Sequence, residues 1–130
     1  MKIIKKEKIL QEVISYIQKA KKEICMTMKF DDDVIIIPQV YFDILDQKLL
    51  EGVKIKRLCF GGVKEFGRFT NEKIPHGEYV CKLTKSKEYK RMIIIDKKYL
   101  FYKSKQAFVF SDNKQRIEEY SQYFISKWNI

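Results

Sequence analysis

Five polar residues in one stretch of the sequence have side chains that could together line a binding site for a small ligand. They are Tyr89, Arg91, Asp96, Ser104 and Gln106. Arg91 presents a planar, permanently charged guanidinium, which matches the geometry of phosphate and carboxylate oxygens. Ser104 and Gln106 could add hydrogen bonds to the same group. These residue types predict a polar pocket for a small anionic or polyhydroxyl ligand.

Two interpretations of Arg91 are open. On a strand, Tyr89 and Arg91 lie two residues apart and project from the same face, where one ligand could contact both. Alternatively, Arg91 pairs with Asp96 or another acid and only stabilises the sheet, because charge clusters with perturbed pKa values are often structural.

The spacing of these residues resembles the signature of the phospholipase D-like superfamily. That signature is His-x-Lys-x4-Asp, followed after six residues by Gly-Ser-x-Asn. Here YKRMIIID is followed after the six residues KKYLFY by KSKQ. Asp96 and Ser104 match the signature, Arg91 and Gln106 are close substitutes, and Tyr89 stands where the superfamily has its His.

The flanking segments KKEICMTM, LLEGVKIKRL and YFISKW are similar in order and spacing to the same superfamily's repeat, so the resemblance covers nearly the whole chain. Within the superfamily, the sequence looks most like the effector domain of archaeal sugar-responsive (TrmB-type) transcription regulators. Those regulators usually carry a DNA-binding winged helix ahead of this domain, and we expect none here. The resemblance implies a regulatory domain that acts as a homodimer or through a separate regulatory protein.

Tyr89 predicts that the domain is not an enzyme. In active members, as the resemblance implies, the His attacks phosphorus, a second His protonates the leaving group, and the Lys neutralises the phosphate oxygens. A phenol, with an ordinary pKa of about 10, is poorly ionised at neutral pH. The single histidine, His76, lies outside the motif, and dimerisation would only duplicate a site that lacks the nucleophile.

Charge and composition favour a folded domain that attracts anions. The 130 residues include 27 Lys and Arg against 17 Asp and Glu, a net charge of +10. This charge suits nucleic acid, the alternative partner, although ordinary solubility explains it equally well. No apolar run approaches the ~20 residues of a membrane helix. Cys25, Cys59 and Cys81 are widely spaced, which predicts free thiols in a reducing cytoplasm and neither metal nor cofactor.

The residues around the motif predict a single α/β domain over residues 1–130, with a mixed sheet of five to seven strands flanked by helices. Helices are predicted over residues 5–21, 38–52 and 113–128. Strands are predicted over residues 23–30, 53–60, 78–84, 89–96 and 99–104, with an edge strand at 107–112. Residues 63–77 have no regular pattern. The initial order of helix, strand, helix, strand implies parallel strands.

Three further features each have two interpretations. Residues 31–33, all Asp, could hold a divalent cation or form a solvated turn. Gly61 and Gly62 could cradle an anion or form a tight turn. Five aromatic side chains near lysines could stack on bases or pack across strands. These aromatic residues are Tyr99, Phe101, Tyr102, Phe108 and Phe110.

Overall fold

A computed structural model of the protein describes residues 1–30, 38–73 and 79–129, and within them seven strands form one mixed sheet. The strands are β1 (Lys2–Ile4), β2 (Glu23–Lys29), β3 (Lys54–Phe60), β4 (Tyr79–Leu83), β5 (Met92–Ile95), β6 (Tyr99–Lys103) and β7 (Phe108–Ser111). Their order across the sheet is β1-β7-β6-β5-β2-β3-β4. The α/β class and the mixed sheet are as the sequence predicts.

Helices pack on both faces of this sheet. They are α1 (Ile9–Ile17), which follows a 3₁₀ turn at Lys6–Lys8, then α2 (Gln39–Leu50), α3 (Val63–Lys73) and α4 (Lys114–Trp128). Val13 of α1 and Leu45 of α2 are buried against Ile24 and Ile55 of the sheet. The opposite face carries a second core that includes α4. The domain therefore has three layers, which the helix–strand alternation favours.

Parallel and antiparallel halves of the sheet meet at β2. Strand β2 runs parallel to β3, and β3 runs parallel to β4. On its other side β2 pairs antiparallel with β5, which begins an antiparallel meander through β6 and β7. The carboxyl ends of β2 and β3 therefore lie at the same end of the sheet as the beginning of β5, and this end carries the candidate site.

Two elements were not predicted from the sequence. Helix α3 occupies most of the stretch that has no regular pattern, although Phe66 and Phe69 are spaced as on one helix face. Gly67 in its middle and its few apolar residues weaken the signal. Strand β1 has only three residues and pairs with β7. The predicted strand over residues 107–112 is confirmed as β7, but its predicted position at the edge of the sheet is wrong, because β1 lies outside it.

The aromatic residues of β6 and β7 are packed in the two cores. Phe101 is buried and stacks on Phe108, with ring centroids 6.1 Å apart. Tyr99 and Phe110 pack at the border of the same core, and Tyr102 is buried on the opposite face. Cross-strand packing is thus confirmed as the arrangement of these side chains. In the described part of the chain, no helix is long and apolar enough to cross a bilayer.

A candidate anion-binding cavity

A cavity of about 500 Å³ lies where the beginnings of α1 and α2 meet the end of β2 and the beginning of β5. Its described polar lining residues are Thr27, Lys29, Tyr41, Arg57, Tyr89 and Arg91. Its described apolar lining residues are Ile9, Leu10, Val13, Met26, Met28, Pro38, Met92, Ile93 and Phe108. A volume of this size suits a small molecule, and an apolar wall with a few polar groups is typical of ligand sites.

Arg91 stands at the exposed side of this cavity. Its guanidinium lies over the ring of Phe108, with 5.6 Å between the guanidinium carbon and the ring centroid. None of the described carboxylates forms an ion pair with it. Asp96 in particular follows the opposite end of β5. The pairing of Arg91 with Asp96 that the sequence allowed is therefore wrong, and Arg91 remains available to an anion.

Thr27 positions the backbone on either side of Arg91. Its hydroxyl donates to the Lys90 carbonyl oxygen at 2.6 Å and accepts from the Met92 N–H at 3.0 Å. Met26 and Ile93 form the last backbone pair between β2 and β5 at this end. Beyond that pair, the two bonds of the Thr27 side chain take the place of backbone hydrogen bonds. The predicted strand over 89–96 therefore begins only at Met92, and the segment before it is held by a side chain.

Tyr89 reaches the same cavity from outside the strand. Its ring packs edge-on against Phe60, with centroids 5.2 Å apart, and the side chain is half-buried at the border of the α4-side core. The structure thus brings Tyr89 and Arg91 to one cavity, although not as alternate residues of a regular strand. The neighbouring ring of Phe60 suits a Tyr89 side chain that packs in the core or contacts a ligand in the cavity.

Arg57 is a cavity residue that the sequence analysis missed. It lies on β3 on the same face as Ile55 and is only 3% exposed. Its Nε donates to the Tyr79 hydroxyl at 2.7 Å. Burial alone would lower the pKa of Arg57, but the phenols of Tyr79 and Tyr41 more than offset this, so its pKa lies above the ordinary value. Its position within the alternating run VKIKRLCF, in phase with buried residues, was the available signal.

Ser104 and Gln106 lie at the same end of the sheet but do not line the cavity. The Lys103 N–H donates to the Arg91 carbonyl oxygen at 3.1 Å, which brings this turn beside Arg91. The Ser104 hydroxyl donates to the Ala107 carbonyl oxygen and accepts from the Ala107 N–H. Ser104 therefore closes the turn between β6 and β7, while Gln106 is exposed on it.

Asp96 belongs to a separate, structural arrangement. Its carboxylate accepts from the backbone N–H groups of Lys21, Lys22 and Glu23 at 2.8, 2.8 and 2.9 Å. Partial burial alone would raise the pKa of Asp96, but these three bonds together outweigh it, so its pKa lies below the ordinary value. With φ at 54°, Asp96 also begins the hairpin turn between β5 and β6. Its charge anchors the beginning of β2 to this hairpin.

Of the remaining candidates, Gly61 has a structural role, and several others lie in the part of the chain that is not described. Gly61 has φ at 126° and a Cβ there would lie 2.9 Å from the Phe30 carbonyl oxygen, as a tight turn requires. Residues 31–33 and His76 lie outside the described residues. Within the described ranges, no cluster of three His, Cys, Asp or Glu side chains could hold a metal ion.

Comparison with known structures identifies the fold. TrmBL2, described as an archaeal chromatin protein with a novel mode of DNA binding, superposes with a TM-score of 0.72 at 18% identity over 94% of this chain. NucT from Helicobacter pylori matches with a TM-score of 0.63 at 13% identity over 93% of this chain and 87% of its own. Phosphatidylserine synthase from Haemophilus influenzae Rd KW20 matches with 0.63 at 11% identity, over 92% of this chain and 36% of its own.

These similarities show that the chain has a phospholipase D-like fold, which it shares with these three proteins. This chain spans about half of TrmBL2, since the match covers 49% of that chain. No protein-family model matches the sequence, and no curated protein sequence matches it significantly. The fold is thus identified by shape and by the spacing of the motif.

Proposed function

We propose that this chain is a non-catalytic phospholipase D-like domain that binds a small ligand and serves a regulatory role. The observation that carries the proposal is that Tyr89 and Arg91, two of the five predicted site residues, line one cavity of about 500 Å³. Arg91 supplies a charged group for the ligand, and no described carboxylate occupies it. Such a cavity can hold a ligand without any covalent chemistry.

The identity of residue 89 supports binding over cleavage. Nucleophilic attack on phosphorus needs an ionised or base-activated group. The phenol of Tyr89 packs against the ring of Phe60, and the described cavity wall offers no His, Asp or Glu that could act as its base. Ser104, one of the two residues that match the motif, forms hydrogen bonds within its own turn. Of the motif's chemistry, the binding of an anionic group by the Arg91 guanidinium therefore remains.

The regulatory part of the proposal rests on the resemblance to TrmB-type effector domains and on the likeness to TrmBL2. Ligand binding at the junction of α1, α2 and the sheet would change how these elements pack, because several of them share the cavity wall. The change would then be transmitted to a second copy of the chain or to a partner regulatory protein.

Isothermal calorimetry of the whole chain tests this proposal. Phosphate, nucleotides and sugars are titrated into wild type, Arg91→Ala and the control Arg116→Ala, whose exposed side chain lies on α4 across the sheet. We expect one ligand class to bind wild type and the control equally, and Arg91→Ala to bind at least about tenfold more weakly. No binding by wild type, or equal binding by Arg91→Ala, contradicts the proposal.

The second candidate function is nucleic-acid binding by a module with a degenerate nuclease-like fold. It is favoured by the net charge of +10 and by the description of TrmBL2 as a DNA-binding protein. Because the aromatic rings of β6 and β7 are packed in the cores, they do not stack on bases, and binding would depend on contacts between lysines and phosphates. Fluorescence anisotropy against salt tests it, because counterion release makes such affinity fall steeply as salt rises. Absence of binding at low salt excludes this function.

A further inference from the structure

Arg57 is a buried cation, and the described side chains that hydrogen-bond to its guanidinium or lie against it as rings are all uncharged at neutral pH. Besides Nε, which donates to Tyr79, Nη1 lies 3.7 Å from the Met28 sulfur. Nη2 is buried and has no hydrogen-bond partner among the described residues. The guanidinium carbon lies 5.5 Å from the Phe69 ring centroid and 5.9 Å from that of Tyr79. None of these neighbours carries a negative charge at neutral pH, since burial raises the pKa of Tyr79 to about 12.

At neutral pH, where the phenol of Tyr79 is protonated, a charge in this position is costly unless an anion compensates it. Removing a guanidinium from water is unfavourable by several kcal/mol, and arginine cannot escape the cost by losing its proton. Buried charges are therefore usually paired with an opposite charge. Among the described residues, the ion pairs join Lys2 with Glu12, Lys48 with Glu51 and Lys127 with Glu88, and none includes Arg57.

The cavity places two further cations around the same space. Arg57 lines its inner wall, while Lys29 and Arg91 are both exposed members of its lining. No acidic side chain is found among its described lining residues. The beginning of α2 also faces this space through Pro38 and Tyr41, and its N-cap residue, Pro38, makes no side-chain cap. The first N–H groups of the helix add partial positive charge on the same side.

We propose that the ligand of this cavity is a small organic oxyanion, a carboxylate or phosphate monoester with an apolar body. This inference rests on the proposed ligand-binding function and narrows it. The oxyanion lies between the guanidinium groups of Arg57 and Arg91, and Arg57 is the inner anchor. The apolar body lies against Val13, Met26 and Phe108 of the cavity wall.

A neutral polyhydroxyl ligand fits these surroundings less well. A sugar would leave the charge of Arg57 uncompensated, and it needs several hydrogen-bonding side chains around its hydroxyl groups. The described wall is instead mainly aliphatic, aromatic and thioether in character. The chemistry of the wall and the charge of the inner residue therefore select the anionic member of the two ligand classes.

Phenyl phosphate, inorganic phosphate and phenol are the probes that test this inference by calorimetry on the whole chain. We expect phenyl phosphate to bind most tightly, because it has both the oxyanion and the apolar body. Arg57→Met and Arg91→Met should each weaken its binding more than about tenfold, as expected when one partner of a desolvated charge pair is lost. The control Arg116→Met, exposed on α4, should change affinity less than about twofold.

Thermal unfolding shows whether Arg57→Met is folded and gives a second measurement of ligand binding. Methionine replaces the uncompensated charge with an unbranched apolar chain, so in chloride the variant should melt at the same temperature as wild type or higher. Phenyl phosphate at equal ionic strength should raise the melting temperature of wild type and Arg116→Met, but not that of Arg57→Met. A rise in all three proteins would overturn the inference, because it would show anion binding elsewhere.

Two other outcomes separate this inference from the proposed function. If sugars bind and Arg57→Met leaves that binding unchanged, the cavity binds ligands but the oxyanion inference is wrong. If wild type binds none of the probes, phosphate, nucleotides or sugars, both proposals fail. A large loss of stability of Arg57→Met in chloride would show that the chain itself compensates the charge of Arg57, and the inference would also fail.

Discussion

The Thr27 hydroxyl donates to the carbonyl oxygen of Lys90 at 2.6 Å, across the junction between β2 and the segment that precedes β5. The hydroxyl oxygen of Thr27 also accepts from the Met92 N–H at 3.0 Å, so one side chain replaces part of the strand ladder. Arg91 lies between these two bonded residues. The position of the cavity's exposed guanidinium is therefore set by a threonine more than sixty residues earlier in the chain.

Thr27→Val should weaken both the fold and the site. Valine keeps the shape but leaves the buried Met92 N–H without an acceptor, which costs about 1–3 kcal/mol of the free energy of unfolding. Urea denaturation measures this loss. Thr70→Val is the matched control, because the Thr70 hydroxyl only donates to the Gly67 carbonyl oxygen within α3, and the change should stay within about 0.5 kcal/mol. Equal losses in the two variants would contradict the bridging role.

Asp96→Asn should destabilise the protein at neutral pH. Asparagine tolerates the left-handed backbone at this position, so the substitution tests the charge that accepts three N–H groups. We expect a loss of about 1 kcal/mol in the free energy of unfolding, because the amide oxygen retains only part of this bonding. The exposed Asp112→Asn is the control and should change stability by less than about 0.5 kcal/mol.

Acid should remove the difference between wild type and Asp96→Asn. The pKa of Asp96 is lower in the folded protein than in the unfolded chain. Its contribution is therefore complete above the unfolded pKa and is lost as pH falls through the folded one. Urea denaturation between pH 7 and pH 2 measures the difference at each pH. A difference that stays constant over this range would show that the charge of Asp96 does not contribute.

Much of the fold was predictable because most elements are long and carry a clear hydrophobic period. Strand β3 and helix α4, for example, occur within one or two residues of their predicted bounds. Helix α3 was missed because Gly67 interrupts a sequence with few apolar residues. Its burial comes from Phe69, which packs with Phe42 of α2, a tertiary contact that a local pattern does not contain.

The candidate site was predictable only in part because its residues come from distant strands. The motif spacing identified Tyr89 and Arg91, which do share a cavity. The same spacing grouped them with Asp96. However, Arg91 precedes β5 and Asp96 follows it, so the length of the strand separates them, and the Asp96 carboxylate accepts hydrogen bonds from backbone N–H groups at its own end of the sheet. Arg57 escaped notice because its partner Tyr79 lies on the next strand of the sheet, beyond an intervening helix.

Substitution of three glycines by alanine should give three distinct effects. Gly61→Ala should be the most destabilising, by more than about 1 kcal/mol, because φ is 126° and the new Cβ would meet the Phe30 carbonyl oxygen at 2.9 Å. Gly52→Ala has a φ of 90° but open space, so it carries the backbone strain alone. Gly67→Ala, in α3 with open space, should stabilise by about 0.5–1 kcal/mol. Urea denaturation gives the order, and a stable Gly61→Ala would contradict the close approach.

Cys81 should react with iodoacetamide before Cys25, although both are half-buried. A hydrogen bond with Cys59 holds the pKa of Cys81 below its ordinary value, whereas burial raises the pKa of Cys25 to about 12. The thiolate is the reactive form, so labelling of Cys81 should rise first as pH increases from 7 to 9. Mass spectrometry of tryptic peptides follows each thiol with time. Cys59→Ala should slow the labelling of Cys81 and leave that of Cys25 unchanged, and faster labelling of Cys25 in wild type would contradict this assignment.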